Sequence, residues 1–224
     1  MTMFDDQRNK LLAALEIAHE AYYKKEKFGG PSLNFHLRSL EKAHEQQLDQ
    51  FAESAYAMLA AWGMHRMGNG GSKMREFDEF LSSMRTVWPS FAKLREKLPD
   101  SLVDDDWDHL RNIFCGIRCM ATGTSLVGNS KVMAHMLPYL VPPVDREYTL
   151  TFLYGSKQIT NNVEAEWSQL RQMLQEFFYP VARYPSFQAK AQNWLSHKEQ
   201  FRWDTSQLKI LDNLVIGFSS VFPK

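Results

Sequence analysis

The sequence predicts an all-α fold, a single multi-helix domain over residues 1–224. Three observations lead there. Apolar residues recur at i, i+3 and i+4 through most of the chain, glycines and prolines break that pattern at short intervals, and the β-prone stretches, 150–154 and 215–221, are too few to make a sheet. With 224 residues, 44% apolar and 23% charged, the chain has the length and composition to bury a core.

The first helix opens on Asp5 and Asp6, carries Leu11, Leu12, Leu15, Ala18 and Tyr22 on one face, and ends at Gly29-Gly30-Pro31. Residues 34–47 are polar with weak helical spacing. From 48 to 66 the stripe Phe51, Ala55, Met58, Leu59 and Trp62 is stronger. Gly68-Asn69-Gly70-Gly71-Ser72 reads as a loop, and a weak subdivision of the domain would fall there. A helix follows over 73–88, which Pro89 kinks or replaces with another lasting to Leu98. Pro99 and the acids Asp104, Asp105 and Asp106 introduce a helix from Trp107 to about Met120. Short helices are expected over 129–137, stopped by Pro138, and over 144–153 after Pro142-Pro143. The segment 161–178 is amphipathic, with Val163, Trp167, Leu170 and Leu174 on one side, and 185–194 and 205–214 complete the pattern.

Several function classes drop out. No run of about 18 apolar residues occurs, so no membrane span is expected, and the N-terminus has acids where a secretory leader has bases. The two cysteines, Cys115 and Cys119, sit four apart on a helix and read as reduced thiols of a cytoplasmic protein. With His109 they form a weak zinc pattern, short of the four ligands a structural site needs, so neither metal nor cofactor is expected. Asp100, Asp104, Asp105, Asp106 and Asp108 are explained by the dipole of the helix they precede. His65-Arg66 beside the glycine loop is either a substrate-facing pair or a helix C-terminal complement, and the dipole favours the second. Trp62, Trp107, Trp167 and Trp194 fall on apolar faces. Phe177, Phe178, Tyr179 and Trp203 are candidates for stacking on bases or covering a partner, with core packing as the alternative. Lys and Arg number 26, as do Asp and Glu. That balance argues against strong non-specific binding to polyphosphate.

One segment, residues 126–153, carries a site hypothesis. Gly128-Asn129-Ser130-Lys131 reads as a tight turn feeding a helix, with Asn129 or Ser130 as its cap. Free amides at such a start bind anions, and Lys131 adds charge. Downstream, Asp145 and Arg146 open the next helix. Arg146 and Lys157 would extend a basic strip from Lys131.

The block GNSKVMAHMLPYLVPPVDREYT, with Tyr56-Ala57-Met58-Leu59-Ala60-Ala61-Trp62-Gly63-Met64-His65-Arg66-Met67-Gly68, resembles a group of uncharacterised bacterial helical proteins, over about the central half of the chain. More remotely, the block is similar to the helix–hairpin–helix of base-excision DNA glycosylases. That resemblance implies a phosphate-gripping hairpin at Gly128, a nucleophilic Lys131 and a catalytic Asp145. The sequence departs from it in having one glycine where that hairpin has two, in a 14-residue Lys131-to-Asp145 interval that is several residues short, and in lacking four cluster-binding cysteines. Three readings follow. The leading one is a nucleic-acid-associated protein contacting phosphate through Gly128, Asn129, Ser130, Lys131 and Arg146. The others are a base-excision-type enzyme using Lys131 and Asp145, and a protein-interaction scaffold without chemistry. Against all three stands a purely structural account, in which Gly128 is a turn, Lys131 is solvated, Asp145 is a helix cap and Arg146 pairs locally.

Overall fold

The computed structural model describes residues 3–25, 29–65 and 73–223. The order is α1 (Asp5–Ala13), α2 (Leu15–Lys25), α3 (Pro31–His44), α4 (Leu48–Ala61), α5 (Phe77–Leu94), α6 (Asp104–Gly116), α7 (Leu126–Met136), α8 (Thr151–Tyr154), α9 (Val163–Met173), α10 (Tyr179–Ala182), α11 (Pro185–Ser196) and α12 (Gln207–Val221). Extended pairing among the described residues is confined to one isolated bridge, Met74 to Met120. No described helix is long and apolar enough to cross a membrane. The helices gather into two compact units. The first comprises Met1–Lys27, Pro142–Gln158 and Gln169–Lys224, and the second Phe28–Val141 and Ile159–Ser168. The loop 68–72, where a subdivision was expected, lies outside the described residues.

Several boundaries differ from the periodicity reading for definite reasons. The first expected helix is two, because Ala14 leaves helical geometry at φ −121° and its N–H turns back to Leu11. Pro31 starts α3 rather than ending its predecessor, since a proline at the first helical position gives up an N–H that would have had no partner. Helix α5 passes through Pro89. Its buried stripe, Phe80, Met84, Val87, Phe91 and Leu94, spans the proline and outweighs a penalty of about 3 kcal/mol. The β-prone 215–221 stretch belongs to α12, where packing overrides local preference.

In the first unit α2 lies along α12, and the closest point is Gly217. A Cβ built there would sit 1.9 Å from the carbonyl oxygen of Ala18 and 2.9 Å from the Tyr22 nitrogen. Phe4, Phe152 and Phe177 form an edge-to-face cluster beneath. The helix α9 continues through a π turn, Leu174–Phe178, into α10. Pro180 has no N–H to offer the carbonyl of Glu176 four residues back. The Arg8 guanidinium donates to that oxygen instead, at 2.5 Å. In the second unit α3 and α4 pack as a hairpin, α5 and α6 as another, and the core is filled by Phe51, Met58, Phe80, Met84 and Phe114.

Gly217→Ala therefore meets backbone, not a movable side chain, and should cost at least about 3 kcal/mol in urea unfolding. Gly29→Ala, where no atom lies within 4 Å, should leave the midpoint nearly unchanged.

Candidate functional site

The segment expected to turn at Gly128 is the interior of α7, and every residue from Leu126 to Met136 is buried. The anion position at its start is already filled: the Leu126 N–H donates to the carboxylate of Glu166, itself 1% exposed, at 2.5 Å. Gly128 is needed for close approach, since a Cβ there would lie 2.6 Å from the Cys119 sulfur. Asn129 caps the neighbouring helix rather than its own. Its amide donates to the carbonyls of Phe114 (2.8 Å) and Ile117 (3.1 Å), and its oxygen accepts from the Cys119 thiol. The Ser130 hydroxyl donates to the Val127 carbonyl. These contacts correct the turn reading: α7 begins before 128–131, and its neighbours occupy the space an anion would need.

Lys131 is 7% exposed, not solvated, and belongs to the second unit, whereas Asp145 and Arg146 belong to the first. The Lys131 ammonium lies 5.6 Å from the Trp62 ring centroid and 3.7 Å from the Met64 sulfur. Asp145 is a helix cap, accepting from the N–H groups of Glu147 (2.7 Å) and Tyr148 (3.4 Å). Arg146 is exposed, and Lys157 is paired with Glu147. A basic strip centred on Lys131 would need that ammonium at the surface, and it is buried. The stacking candidates Phe177, Phe178, Tyr179 and Trp203 are all core, at most 4% exposed. Among the described residues no three histidines, cysteines or acids come together as a metal site. His109 turns to Ser90 and Asp105, and the two cysteines are free thiols. His65 accepts from the Met74 N–H, while Arg66 lies outside the described residues.

What the fold does assemble around Lys131 is a pair of buried histidines. His36 on α3 and His135 on α7 meet ring to ring, Nδ1 of His36 at 2.7 Å from Nε2 of His135. Nδ1 of His135 lies 2.7 Å from the Lys131 carbonyl, which can only accept. That bond places a hydrogen on His135 Nδ1, so in the neutral ring Nε2 accepts and His36 Nδ1 donates. Trp62 closes the group, its ring 5.4 Å from His135 and 5.8 Å from His36. His36 and His135 are 99 residues apart in the sequence. The signal it held was the i, i+4 spacing of Lys131 and His135, which puts them on one helix face.

His135 also lines a cleft of about 280 Å³ formed by α3, α5 and the chain after α7. Leu40, Ala43, Phe91, Met136 and Pro138 supply an apolar floor, and His44, Arg95, Glu96 and Tyr139 a polar rim. Tyr139 is 54% exposed. Among the described residues the Arg95 guanidinium hydrogen-bonds to one oxygen of Glu96, at 2.8 and 2.9 Å.

The first unit holds a second buried polar group. His19 Nε2 lies 2.7 Å from Asp204, whose other oxygen accepts from Asn213. The Lys209 ammonium bridges Asn213 and Asp212, and the His19 ring stacks on Trp194 at 3.9 Å. These side chains spend their bonds on one another, joining α2, α12 and the chain between α11 and α12.

Two outcomes follow from these environments. Burial pushes the Cys119 thiol from 9.0 up to about 12 and raises Cys115 less, with the Glu164 carboxylate adding to its rise. A thiol reagent at pH 8 should react slowly with Cys115 and with Cys119 only after unfolding, and titration in denaturant should count both. Because the folded thiol holds its proton where the unfolded one has lost it, Cys119 lowers stability as pH climbs from about 9 toward 12. For Asp145, the cap role predicts that Asp145→Ala costs about 1 kcal/mol while Asp145→Asn retains most of the stability. Loss of stability in both variants alike would contradict it. No family model, curated protein or solved structure matches the chain.

Proposed function

We propose that the second unit is a small-molecule binding module whose ligand occupies the cleft between α3, α5 and the chain after α7. The observation that carries this reading is the convergence of His44, Arg95 and Tyr139 on an apolar floor. Compact ligand sites combine such a floor with a few placed polar groups in clefts of about 300–1,000 Å³, and this one, at about 280 Å³, lies just below that range. His135 contributes shape and not acid–base chemistry, because both ring nitrogens are engaged, one by Lys131 and one by His36. Phosphate contact through the Gly128 to Lys131 segment would require that buried stretch of helix to be opened, so a nucleic acid would bind elsewhere on the surface.

Leu40→Trp places a ring over the floor and should abolish binding without unfolding the chain, since Leu40 is only partly buried. In a thermal-shift screen of small amphipathic compounds, ligands that raise the wild-type melting temperature should leave this variant unmoved. At a hundred times its Kd such a ligand stabilises by about 2.7 kcal/mol. Equal responses from both proteins would refute the cleft. Binding of a single-stranded oligonucleotide undiminished by Leu40→Trp, with no small ligand found, would move the function to another surface.

A further inference from the structure

Resting on that reading of the cleft, we infer that its ligand is a zwitterion: a free α-amino acid with an apolar side chain. The argument is one of charge matching. The rim carries one guanidinium, Arg95, and one carboxylate, Glu96, and no other formal charge if His44 and His135 are neutral. A simple anion would be drawn to Arg95 but would face Glu96, and a simple cation would meet the reverse conflict. A molecule with both charges satisfies both groups and brings no net charge to a rim that has none.

Spacing narrows the class further. Arg95 and Glu96 are neighbours in direct contact, two guanidinium nitrogens sharing one carboxylate oxygen. The ammonium and carboxylate of an α-amino acid are likewise separated by a single carbon, whereas a peptide holds its two termini further apart. The pair also leaves capacity unused. The second Glu96 oxygen and the third guanidinium nitrogen have no bond among the described residues, so the ligand's carboxylate can join Arg95 while its ammonium joins Glu96. With side chains 31% and 80% exposed, the bridge opens or shifts at little cost. The floor of Leu40, Phe91 and Met136 suits a branched aliphatic or aromatic side chain, and His44 and Tyr139 complete the lining.

Calorimetry with L-phenylalanine, 3-phenylpropionate (no ammonium) and phenethylamine (no carboxylate) tests this directly. L-phenylalanine should bind at least tenfold more tightly than either analogue. Arg95→Gln should weaken L-phenylalanine and 3-phenylpropionate about tenfold and spare phenethylamine, and Glu96→Gln should weaken L-phenylalanine and phenethylamine and spare 3-phenylpropionate. Both positions face solvent, and unchanged melting curves would exclude a folding defect. If the analogues bind as tightly as the amino acid, or if only unrelated compounds bind and Leu40→Trp blocks them, the zwitterion is wrong and the cleft reading stands. If nothing binds that Leu40→Trp abolishes, both fall together.

Discussion

Every residue of α7 is buried, and that burial obliges each polar group on the helix to find its partner inside the protein. Glu166 answers the first amide, Asn129 closes the end of α6, Ser130 bonds back along its own helix, and Lys131 rests on Trp62. The histidine pair belongs to the same account: His135 could not be buried on α7 without acceptors and donors for both nitrogens, and His36 supplies one of them. Removing one partner from such a set leaves a buried group unsatisfied, at about 1–3 kcal/mol each. The second unit is thus held in register by polar contacts set within an apolar core, and the cleft beside His135 inherits that rigidity.

The all-helical character was readable from spacing alone, because a 3.6-residue period written over fourteen or more positions is hard to produce by chance. The stripe from Phe51 to Leu59 lies where α4 lies, and Trp167 and Trp194 are core as their faces implied. Asp145 after Pro142-Pro143 is a cap, as its position suggested. The block around Gly128 misled because glycine, asparagine, serine and lysine in a row are what a solvated turn contains. Nothing local reveals that Cys119 lies where a Cβ would go, or that a glutamate 40 residues downstream lies at the start of that helix. The rim of the cleft was equally invisible, since His44, Arg95 and Tyr139 are separated along the chain and ordinary in their local patterns. Lys131 alone among the expected site residues lies beside the cluster that the fold creates, and it does so from within the core.

The two units solve the burial of charge in contrasting ways. Lys131 in the second and Lys209 in the first both lie over aromatic rings, but in the second the imidazoles bond to each other and to backbone. In the first, acids and bases are gathered into one network running from His19 to Asp212. Such networks contribute little net stability compared with an apolar replacement, but they penalise any arrangement that leaves one member alone. Here the network fixes how α12 meets α2, along the same contact that Gly217 makes close.

The interleaving of the first unit along the chain has a consequence for biosynthesis. Its segment 1–27 is made before the second unit, yet the main partner of α2, α12, follows that whole unit along the chain. Until then the apolar sides of α1 and α2 have nothing to cover them. Meanwhile the stretch from Phe28 to Val141 can collapse early, awaiting only the short piece that brings Glu166 to the head of α7. Maturation is therefore ordered from the middle outward, with the nascent N-terminal helices as the species most exposed to misassociation and to chaperone capture.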